Sequence, residues 1–270
     1  MNSNQFSRQS FLGANSQNTL RDCSVGLIGL GGGGSHVAQQ LGHIGVGKFL
    51  LIDPDIVEDH NLNRLVGAVF DDVGNATPKV EVARRVIASV NSEANIVSVQ
   101  LPWQERPELL RDCDVIFGSL DRYAARDELE RLSRRFLIPY LDMGMDVHAL
   151  GNHYLISGQV ALSLPGGPCL WCMGLLSQKL LTEEAQRYGQ AGGRPQVVWP
   201  NGVLASVTVG LFMQLVTPWH QHERLPVLLE YDGNAHTVLP SNKVLVFKGR
   251  QCRHYLPADI GDPFFTSPEN

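Results

Sequence analysis

The segment LIGLGGGGSHVAQQLG, from Leu27 to Gly42, constrains the fold of this chain more than any other stretch. Its glycines stand between an apolar, strand-like run and a helix that is predicted to begin at Ser35. Glycine lets backbone N–H groups approach a phosphate at a helix N-terminus. The stretch therefore predicts an adenine nucleotide site, or else a tight turn in an α/β domain that binds nothing. The candidate contacts are Gly29, Gly31, Gly32 and Gly34.

Strand-like and helix-like segments alternate through the first half of the chain. Buried strands are predicted at residues 23–30 and 114–120, further strands at 48–53 and 138–144, and an alternating strand at 95–101. Helices are predicted at 35–42, 80–90 and 125–136. Strands that alternate with helices predict a Rossmann-like, mostly parallel sheet flanked by helices.

The pattern changes after Met145. Hairpin-like strands come first, then a loop with glycines and cysteines, an apolar helix at 203–216, and strands at 227–231 and 243–247. This predicts a peripheral antiparallel half. No linker interrupts the chain, so we expect one domain over residues 1–270. A nucleotide-binding core of about 20–145 would be joined by a half at 146–255 that completes the sheet and the substrate groove.

Composition excludes several classes of protein. The net charge of −5 lacks the basic surplus of nucleic-acid-binding chains, so we expect no nucleic-acid partner. The first ten residues are polar and predict no signal peptide, and the apolar run at 203–216 is too short for a membrane span. Five cysteines, an odd number, favour a cytoplasmic protein in which clustered thiols bind metal rather than form disulfides.

The residues beyond the second predicted strand indicate whether the bound nucleotide is ATP or a dinucleotide. An acidic residue at the end of that strand can accept hydrogen bonds from ribose hydroxyls. A triphosphate also needs cations and a metal ion at its far end, and a carboxylate at the end of a later strand can hold Mg²⁺. The candidate contacts beyond the glycines are Asp53, Asp55, Asn61, Arg64, Lys79 and Asp121.

These residues also have purely structural explanations. Asn61 can shape a turn, Lys79 can be a solvated helix residue, and Asp121 can cap a helix. Their joint position at strand ends favours the nucleotide.

Six motifs together resemble one known family. They are GLGGGG, LIDPDIVEDHNLNR, TPK at 77–79, SLDRYAAR, SRQSFLG near the N-terminus and PCLWC at 168–172, and they extend over most of residues 7–255. The resemblance is to the ubiquitin-activating-enzyme-like adenylyltransferases, the ThiF/MoeB/HesA superfamily. It implies a Rossmann-like sheet that binds ATP and Mg²⁺. It also implies adenylation of the C-terminal Gly-Gly of a ubiquitin-like or sulfur-carrier protein, with release of pyrophosphate.

The resemblance further implies roles for single residues. Asp53 matches the ribose-binding acid, and Arg8 matches an arginine that reaches the partner's ATP site in a homodimer. Asn61, Arg64 and Lys79 match residues around the phosphates, and Asp121 matches the magnesium ligand. The catalytic candidates are therefore Arg8, Arg64, Lys79 and Asp121.

Two positions depart from the family pattern. Leu65 follows Arg64 where the family usually has glutamine, and Arg122 follows Asp121 where it usually has asparagine. The extra cation at Arg122 could pair with Asp121 or attract an anionic carboxylate.

Cysteines near the C-terminus form a candidate zinc site. Cys169-x-x-Cys172 is half of a tetrahedral site. The family often has a second such pair, but here Cys252 is followed by His254, and Tyr255 stands where the second cysteine would fall. A structural Cys₃His zinc site in the C-terminal half and free thiols left by a decayed site remain the two alternatives.

No cysteine lies between Cys172 and Cys252. In thioester-forming relatives the nucleophilic thiol lies in the crossover segment, here about residues 175–200. Because a thioester requires a thiolate, we expect adenylation without an internal thioester, and direct passage of the acyl group to an outside nucleophile.

Three other functions stay open at this point. An NAD- or FAD-dependent oxidoreductase would explain the glycines and Asp53 but not Arg64 or Lys79. A tRNA threonylcarbamoyladenosine dehydratase-like enzyme would belong to the same superfamily but would activate a carboxylate on tRNA. A non-catalytic nucleotide-sensing scaffold is the third.

Overall fold

A computed structural model describes residues 5–186, 195–220, 225–247, 252–255 and 260–261. One eight-stranded sheet has the order β3-β2-β1-β4-β5-β6-β7-β8. The strands from β3 to β5 in that order run parallel, and β6, β7 and β8 are added antiparallel. The strands are β1 Ser24–Ile28, β2 Lys48–Ile52, β3 Asn95–Val99, β4 Val115–Gly118, β5 Tyr140–Leu150, β6 His153–Ser163, β7 Leu228–Asp232 and β8 Thr237–Pro240.

Helices cover both faces of the sheet, which confirms the predicted fold class. They are α1 Ser16–Asp22, α2 Gly32–Ile44, α3 Phe70–Gly74, α4 Lys79–Val90, α5 Tyr123–Arg135, α6 Gln178–Gln186 and α7 Val198–Val216. Short 3₁₀ helices lie at Ser7–Leu12, Asp59–Asn61, Trp103–Glu105, Pro107–Asp112 and Asn242–Phe247. Helices α2, α4 and α7 share one apolar core with the sheet, and α5 packs into a second core on the other face.

The apolar helix predicted at 203–216 is longer than expected and begins at Val198. Among the residues that the structure describes, this is the one helix that is long and apolar enough to cross a membrane. Here it packs into the first core, where the Phe212 ring lies 5.5 Å from that of Phe117. Gln40 on α2 also donates to Ser206 on α7 at 3.1 Å. These contacts are those of a buried helix of the fold, as predicted.

The strand predicted at 243–247 is wrong. That segment is the 3₁₀ helix Asn242–Phe247, and the strand that pairs with β7 is β8. The Ser241 N–H donates to the Leu228 carbonyl and the Ser241 hydroxyl accepts from the Lys243 N–H, so the chain turns at this point. An apolar run without alternation cannot by itself distinguish a strand from a helical turn.

Strand order reverses at the boundary between β1 and β4. The chain moves outward from β1 to β2 and β3, then returns to the other side of β1 to begin β4. In open parallel sheets, a crevice forms at the carboxyl ends of the strands at such a reversal. The glycine segment after β1 and the segment at residues 119–121 after β4 both line this crevice.

Candidate active site

The crevice contains a cavity of about 700 Å³. The structure brings most of the predicted nucleotide residues to its wall, but Gly34 and Arg8 are not in the lining. The predicted residues that line it are Gly29, Gly31, Gly32, Asp53, Asp55, Asn61, Arg64, Lys79 and Asp121.

Glycine is required at different positions of this loop for different structural reasons. Gly29 has φ +84°, and a Cβ there would lie 2.4 Å from the Ser119 carbonyl oxygen. A Cβ on Gly34 would lie 1.9 Å from the Gly29 carbonyl oxygen, so Gly34 allows α2 to pack closely on the loop. Around a Cβ built on Gly31 there is no atom within 4 Å, so this position is open to the cavity. Gly31, Gly32 and Gly33 line the cavity, so the N-terminus of α2, the kind of helix end that binds anions, borders it.

Asp53 lies at the end of β2 and is 4% exposed. Its two carboxylate oxygens accept hydrogen bonds from the backbone N–H groups of Leu30, at 2.6 Å, and Asp55, at 2.9 Å. Burial raises the pKa of Asp53, and the nearby Lys79 opposes that shift. A carboxylate oxygen can accept two hydrogen bonds, so each oxygen keeps capacity for a ribose hydroxyl.

The two predicted cations lie on different elements. Lys79 begins α4, and its Nζ lies 2.7 Å from Asp55 Oδ2 with the lysine side chain only 11% exposed. Arg64 follows the 3₁₀ helix Asp59–Asn61, and its Nη1 donates to the His60 carbonyl at 2.6 Å and to Asn63 Oδ1 at 2.9 Å. Lys79 is therefore not a solvated helix residue, because Asp55 holds its ammonium at the cavity wall.

Asn61 combines a structural role with its place in the cavity wall. It is 5% exposed, and its Oδ1 accepts the Glu58 N–H at 3.0 Å, as the turn-shaping explanation predicts. Leu65, which replaces the family's glutamine, is 5% exposed and packs with Val57 and Val82. Leu65 therefore belongs both to this small apolar cluster and to the cavity wall.

Asp121 is exposed at the cavity wall and accepts a hydrogen bond from Gln196 Nε2 at 3.1 Å. Gln196 belongs to the crossover segment, and its carbonyl accepts from Asn63 Nδ2 at 3.1 Å. Within the ranges that the structure describes, Arg122 forms no ion pair with Asp121. Arg122 instead stands at the N-cap of α5 in the cavity lining.

Glu184 on α6 contacts the start of α5, and the sequence did not predict this contact. Its two carboxylate oxygens accept the backbone N–H groups of Tyr123 and Ala124, each at 2.9 Å, at the start of α5. Residues 187–194 of the crossover segment lie outside the described residues. No sequence pattern pairs Glu184 with α5, because the two are far apart in the chain.

Arg8 is far from the cavity of its own chain. It lies in the 3₁₀ helix Ser7–Leu12 and is exposed. The next residue, Gln9, donates to the carbonyl of Ile44, the last residue of α2, at 2.9 Å. A helix of 13 residues is roughly 20 Å long, so Arg8 is near the end of α2 opposite the glycine loop.

The sequence also did not predict Arg126 as a buried charged residue of the cavity wall. Arg126 on α5 is 5% exposed and binds Asp142 on β5 through Nε, at 3.0 Å, and through Nη2. The Tyr140 hydroxyl donates to the same carboxylate at 2.8 Å. Arg126 belongs to the SLDRYAAR motif, so the motif was a signal, but its buried partner on β5 could not be read from spacing.

Cys169, Cys172, Cys252 and His254 form one cluster, with their ligand atoms all within 4.8 Å of one another. The Cys169 Sγ lies 3.6 Å from Cys172 Sγ, 3.4 Å from Cys252 Sγ and 3.4 Å from His254 Nδ1. Tetrahedral zinc with Zn–S of about 2.3 Å separates its sulfur ligands by about 3.8 Å. The donor types and their spacing therefore fit a closed zinc site.

The surroundings of this cluster hold its ligands in place. The Trp171 and His254 rings stack with centroids 5.8 Å apart. Tyr255, in the position of the family's second cysteine, is 3% exposed and donates to Glu130 Oε2 at 3.0 Å. With Tyr255 tied to the buried Glu130, the neighbouring His254 supplies the fourth donor.

With this geometry established, comparison with known proteins assigns the chain to a family. The ThiF family profile matches residues 3–253. The chain belongs to the ThiF family. The resemblance derived from the motifs is thereby confirmed.

Among curated relatives of this ThiF-family chain, the SAMP-activating enzyme E1 of Haloferax volcanii is 32% identical over 164 residues, which is 60% of this chain and 57% of that protein. The tRNA threonylcarbamoyladenosine dehydratase of Bacillus subtilis is 36% identical over 102 residues, 37% of this chain and 39% of that protein. The sulfur carrier protein ThiS adenylyltransferase of Bacillus subtilis is 29% identical over 175 residues, 63% of this chain and 50% of that protein. The chain thus spans about half the length of these relatives.

The fold has solved counterparts. The crystal structure of E. coli MccB with ATP aligns with a TM-score of 0.71 at 23% identity, over 90% of this chain and 72% of that one. At this identity the likeness concerns the fold alone.

Proposed function

We propose that this chain is an ATP-dependent adenylyltransferase. It would activate the C-terminal carboxylate of a ubiquitin-like or sulfur-carrier protein ending in Gly-Gly, form an acyl-adenylate and release pyrophosphate. The observation that carries the proposal is that one cavity is lined by the buried acid Asp53 after β2, by the open position at Gly31, and by Lys79, Arg64 and Asp121. The adenylyltransferase named among its relatives supports the reaction type.

The chain's own groups would act by binding and alignment rather than by covalent chemistry. Asp53 holds the ribose, and the backbone at the start of α2 holds phosphate oxygens. Arg64 and Lys79 stabilise negative charge that grows on the leaving pyrophosphate. Alignment of the carboxylate with the α-phosphorus supplies the remaining acceleration.

Asp121 is the residue that would hold Mg²⁺. Its carboxylate is exposed at the cavity wall, and Gln196 is a neutral partner that a cation can displace. A bound Mg²⁺ would neutralise phosphate charge there.

We further propose that transfer proceeds without an internal thioester. The sequence has no cysteine between Cys172 and Cys252. Those two belong to the metal cluster instead. The activated acyl group would therefore pass directly to an outside nucleophile.

The Cys₃His cluster would bind one structural Zn²⁺. Four protein ligands leave no open position, which is the arrangement of structural rather than catalytic zinc. Burial raises the pKa of the Cys169 thiol, and a bound cation would supply the charge that stabilises a thiolate there.

The remaining expectations concern assembly and location. We propose a cytoplasmic homodimer of single-domain chains, without a membrane or nucleic-acid partner. Arg8 lies far from the cavity of its own chain, which supports a role in the site of the partner.

Nucleotide-dependent thermal stabilisation tests the nucleotide. ATP with Mg²⁺ should raise the melting temperature by mass action, and NAD should not. The reverse result would favour the oxidoreductase.

ATP–pyrophosphate exchange tests the substrate. Exchange should depend on small proteins that end in Gly-Gly, and removal of the last glycine should abolish it. A second candidate is activation of a carboxylate on tRNA, which the dehydratase relative favours. Exchange stimulated by tRNA and not by Gly-Gly proteins would select that function.

A further inference from the structure

The cavity continues past the proposed nucleotide residues onto β5 and β6. Its wall there includes Arg126, Gly144 and Gln159. Two strands, β1 and β4, separate β2 from β5. With strands about 4.8 Å apart, this compartment lies roughly 14 Å across the sheet from the end of β2. A second substrate can reach the phosphates from this side without displacing a nucleoside bound at Asp53.

Arg126, which lines this compartment, has one nitrogen that its protein contacts leave unused. Its Nε and Nη2 are held by Asp142, whereas Nη1 has no hydrogen-bond partner among the described residues. Burial opposes the charge, but the contact with Asp142 outweighs it and raises the pKa of Arg126. The guanidinium is therefore charged and fixed at the cavity wall, and Nη1 is the atom that lies near Gly144, another lining residue.

Gly144 marks the point where two donors converge. A Cβ built on Gly144 would lie 2.7 Å from Gln159 Nε2 and 3.9 Å from Arg126 Nη1. No side chain occupies this point, because the residue is glycine. The carboxylate of Asp142 already balances the guanidinium, so the pair offers hydrogen bonds with little net charge. Such a pair suits a neutral peptide carbonyl better than a second carboxylate.

We propose that Arg126 and Gln159 bind a backbone carbonyl of the substrate's extended C-terminal tail, over Gly144. This inference rests on the proposed function, because it assigns the site that guides the tail toward the α-phosphate. Two donors on one carbonyl would fix the direction of the tail. That is the alignment on which attack by its terminal carboxylate depends.

The test uses the whole chain and a hexapeptide that ends in Gly-Gly, carries a free carboxylate and is labelled with fluorescein at its amino end. Fluorescence anisotropy measures peptide binding with and without a non-hydrolysable ATP analogue, whose own affinity is measured separately. Gly144→Ala places a methyl group at the convergence point, and Gln159→Met removes the amide with little change in length. Gly210→Ala is the matched control, since a Cβ there has no atom within 4 Å.

We expect Gly144→Ala to weaken peptide binding at least tenfold and Gln159→Met about fivefold, as for the loss of one hydrogen bond. Gly210→Ala should bind like the unmodified chain, and all three variants should keep their affinity for the ATP analogue. Unchanged peptide binding in Gly144→Ala and Gln159→Met, or no peptide binding by the unmodified chain, would overturn the inference. Parallel loss of ATP-analogue affinity in those two variants would also overturn it, because the effect would then be structural.

The two proposals fail separately. If the unmodified chain does not bind the ATP analogue, the proposed adenylation fails, whereas peptide binding that depends on Gly144 would still support the tail site.

Discussion

Lys79 and Asp55 are joined by two bonds across the cavity wall. The Lys79 ammonium lies 2.7 Å from Asp55 Oδ2, and the Lys79 backbone N–H donates to the Asp55 carbonyl at 3.0 Å. Asp55 is 62% exposed whereas Lys79 is 11% exposed. The lysine is thus held in place before any ligand binds, and a phosphate oxygen can replace the exposed carboxylate as its partner.

Lys79→Ala should reduce ATP–pyrophosphate exchange by about 10²-fold or more, because it removes a fixed cation from the developing charge. The melting temperature should change little. Lys179→Ala is the matched control, since Lys179 is 82% exposed and lies on α6. Equal exchange rates in the two variants would contradict the role of Lys79.

Two glycine substitutions in one loop should affect different properties, fold stability at Gly29 and ATP binding at Gly31. Gly29→Ala forces φ +84° on a residue with a Cβ and brings that Cβ to 2.4 Å from the Ser119 carbonyl oxygen, so the fold should be destabilised by more than about 1–2 kcal/mol. Gly31→Ala meets no protein atom and should leave the melting temperature nearly unchanged. It should weaken ATP binding, because the methyl group faces the cavity. Calorimetric unfolding and ATP titration separate the two effects, and loss of stability in Gly31→Ala would contradict this account of the loop.

Asp72 and Arg85 should make stability depend on pH. The Asp72 carboxylate accepts two bonds from Arg85, at 2.9 and 2.6 Å, and the hydrogen bonds from Arg85 lower the pKa of Asp72 to about 2. A carboxyl group with a lowered folded-state pKa stabilises the fold above its unfolded pKa of about 3.9, and loses that effect as the pH falls toward 2.

Asp72→Asn should therefore lower the free energy of unfolding by about 1–2 kcal/mol at pH 7, a value reduced for the partial exposure of Arg85. The deficit should shrink by pH 3. Urea unfolding at both pH values measures it, with Glu81→Gln as a control that removes an exposed ion pair with Arg84. A deficit that stays constant with pH would show that the charge of Asp72 is not its cause.

The purified chain should contain about one zinc per molecule by elemental analysis. His254→Ala should reduce zinc retention and lower the melting temperature, because one ligand is lost. His148→Ala, at a histidine with 59% exposure outside the cluster, should change neither. Chain that contains no zinc after purification without chelator would favour the free-thiol alternative.

The order of strands and helices in the first half followed from the sequence, because buried parallel strands are short apolar runs and α4 and α5 have clear helical spacing. The glycine loop was equally predictable, since the motif is local. The segment at 243–247 was misassigned because its apolar run lacks alternation and its course depends on how Ser241 bonds to β7.

The sequence by itself determined the fold class, the family and the kinds of residue at the cavity, because each depends on neighbours a few positions apart. Only the tertiary structure decided which distant residues meet. It joined Arg126 to Asp142 and placed Gln159 beside Gly144, and it brought together Cys169, Cys252 and His254, which the sequence offered as only one of two alternatives. Those relationships arise from the pairing of strands and the packing of helices on the sheet, which are set by the whole chain and leave no local pattern.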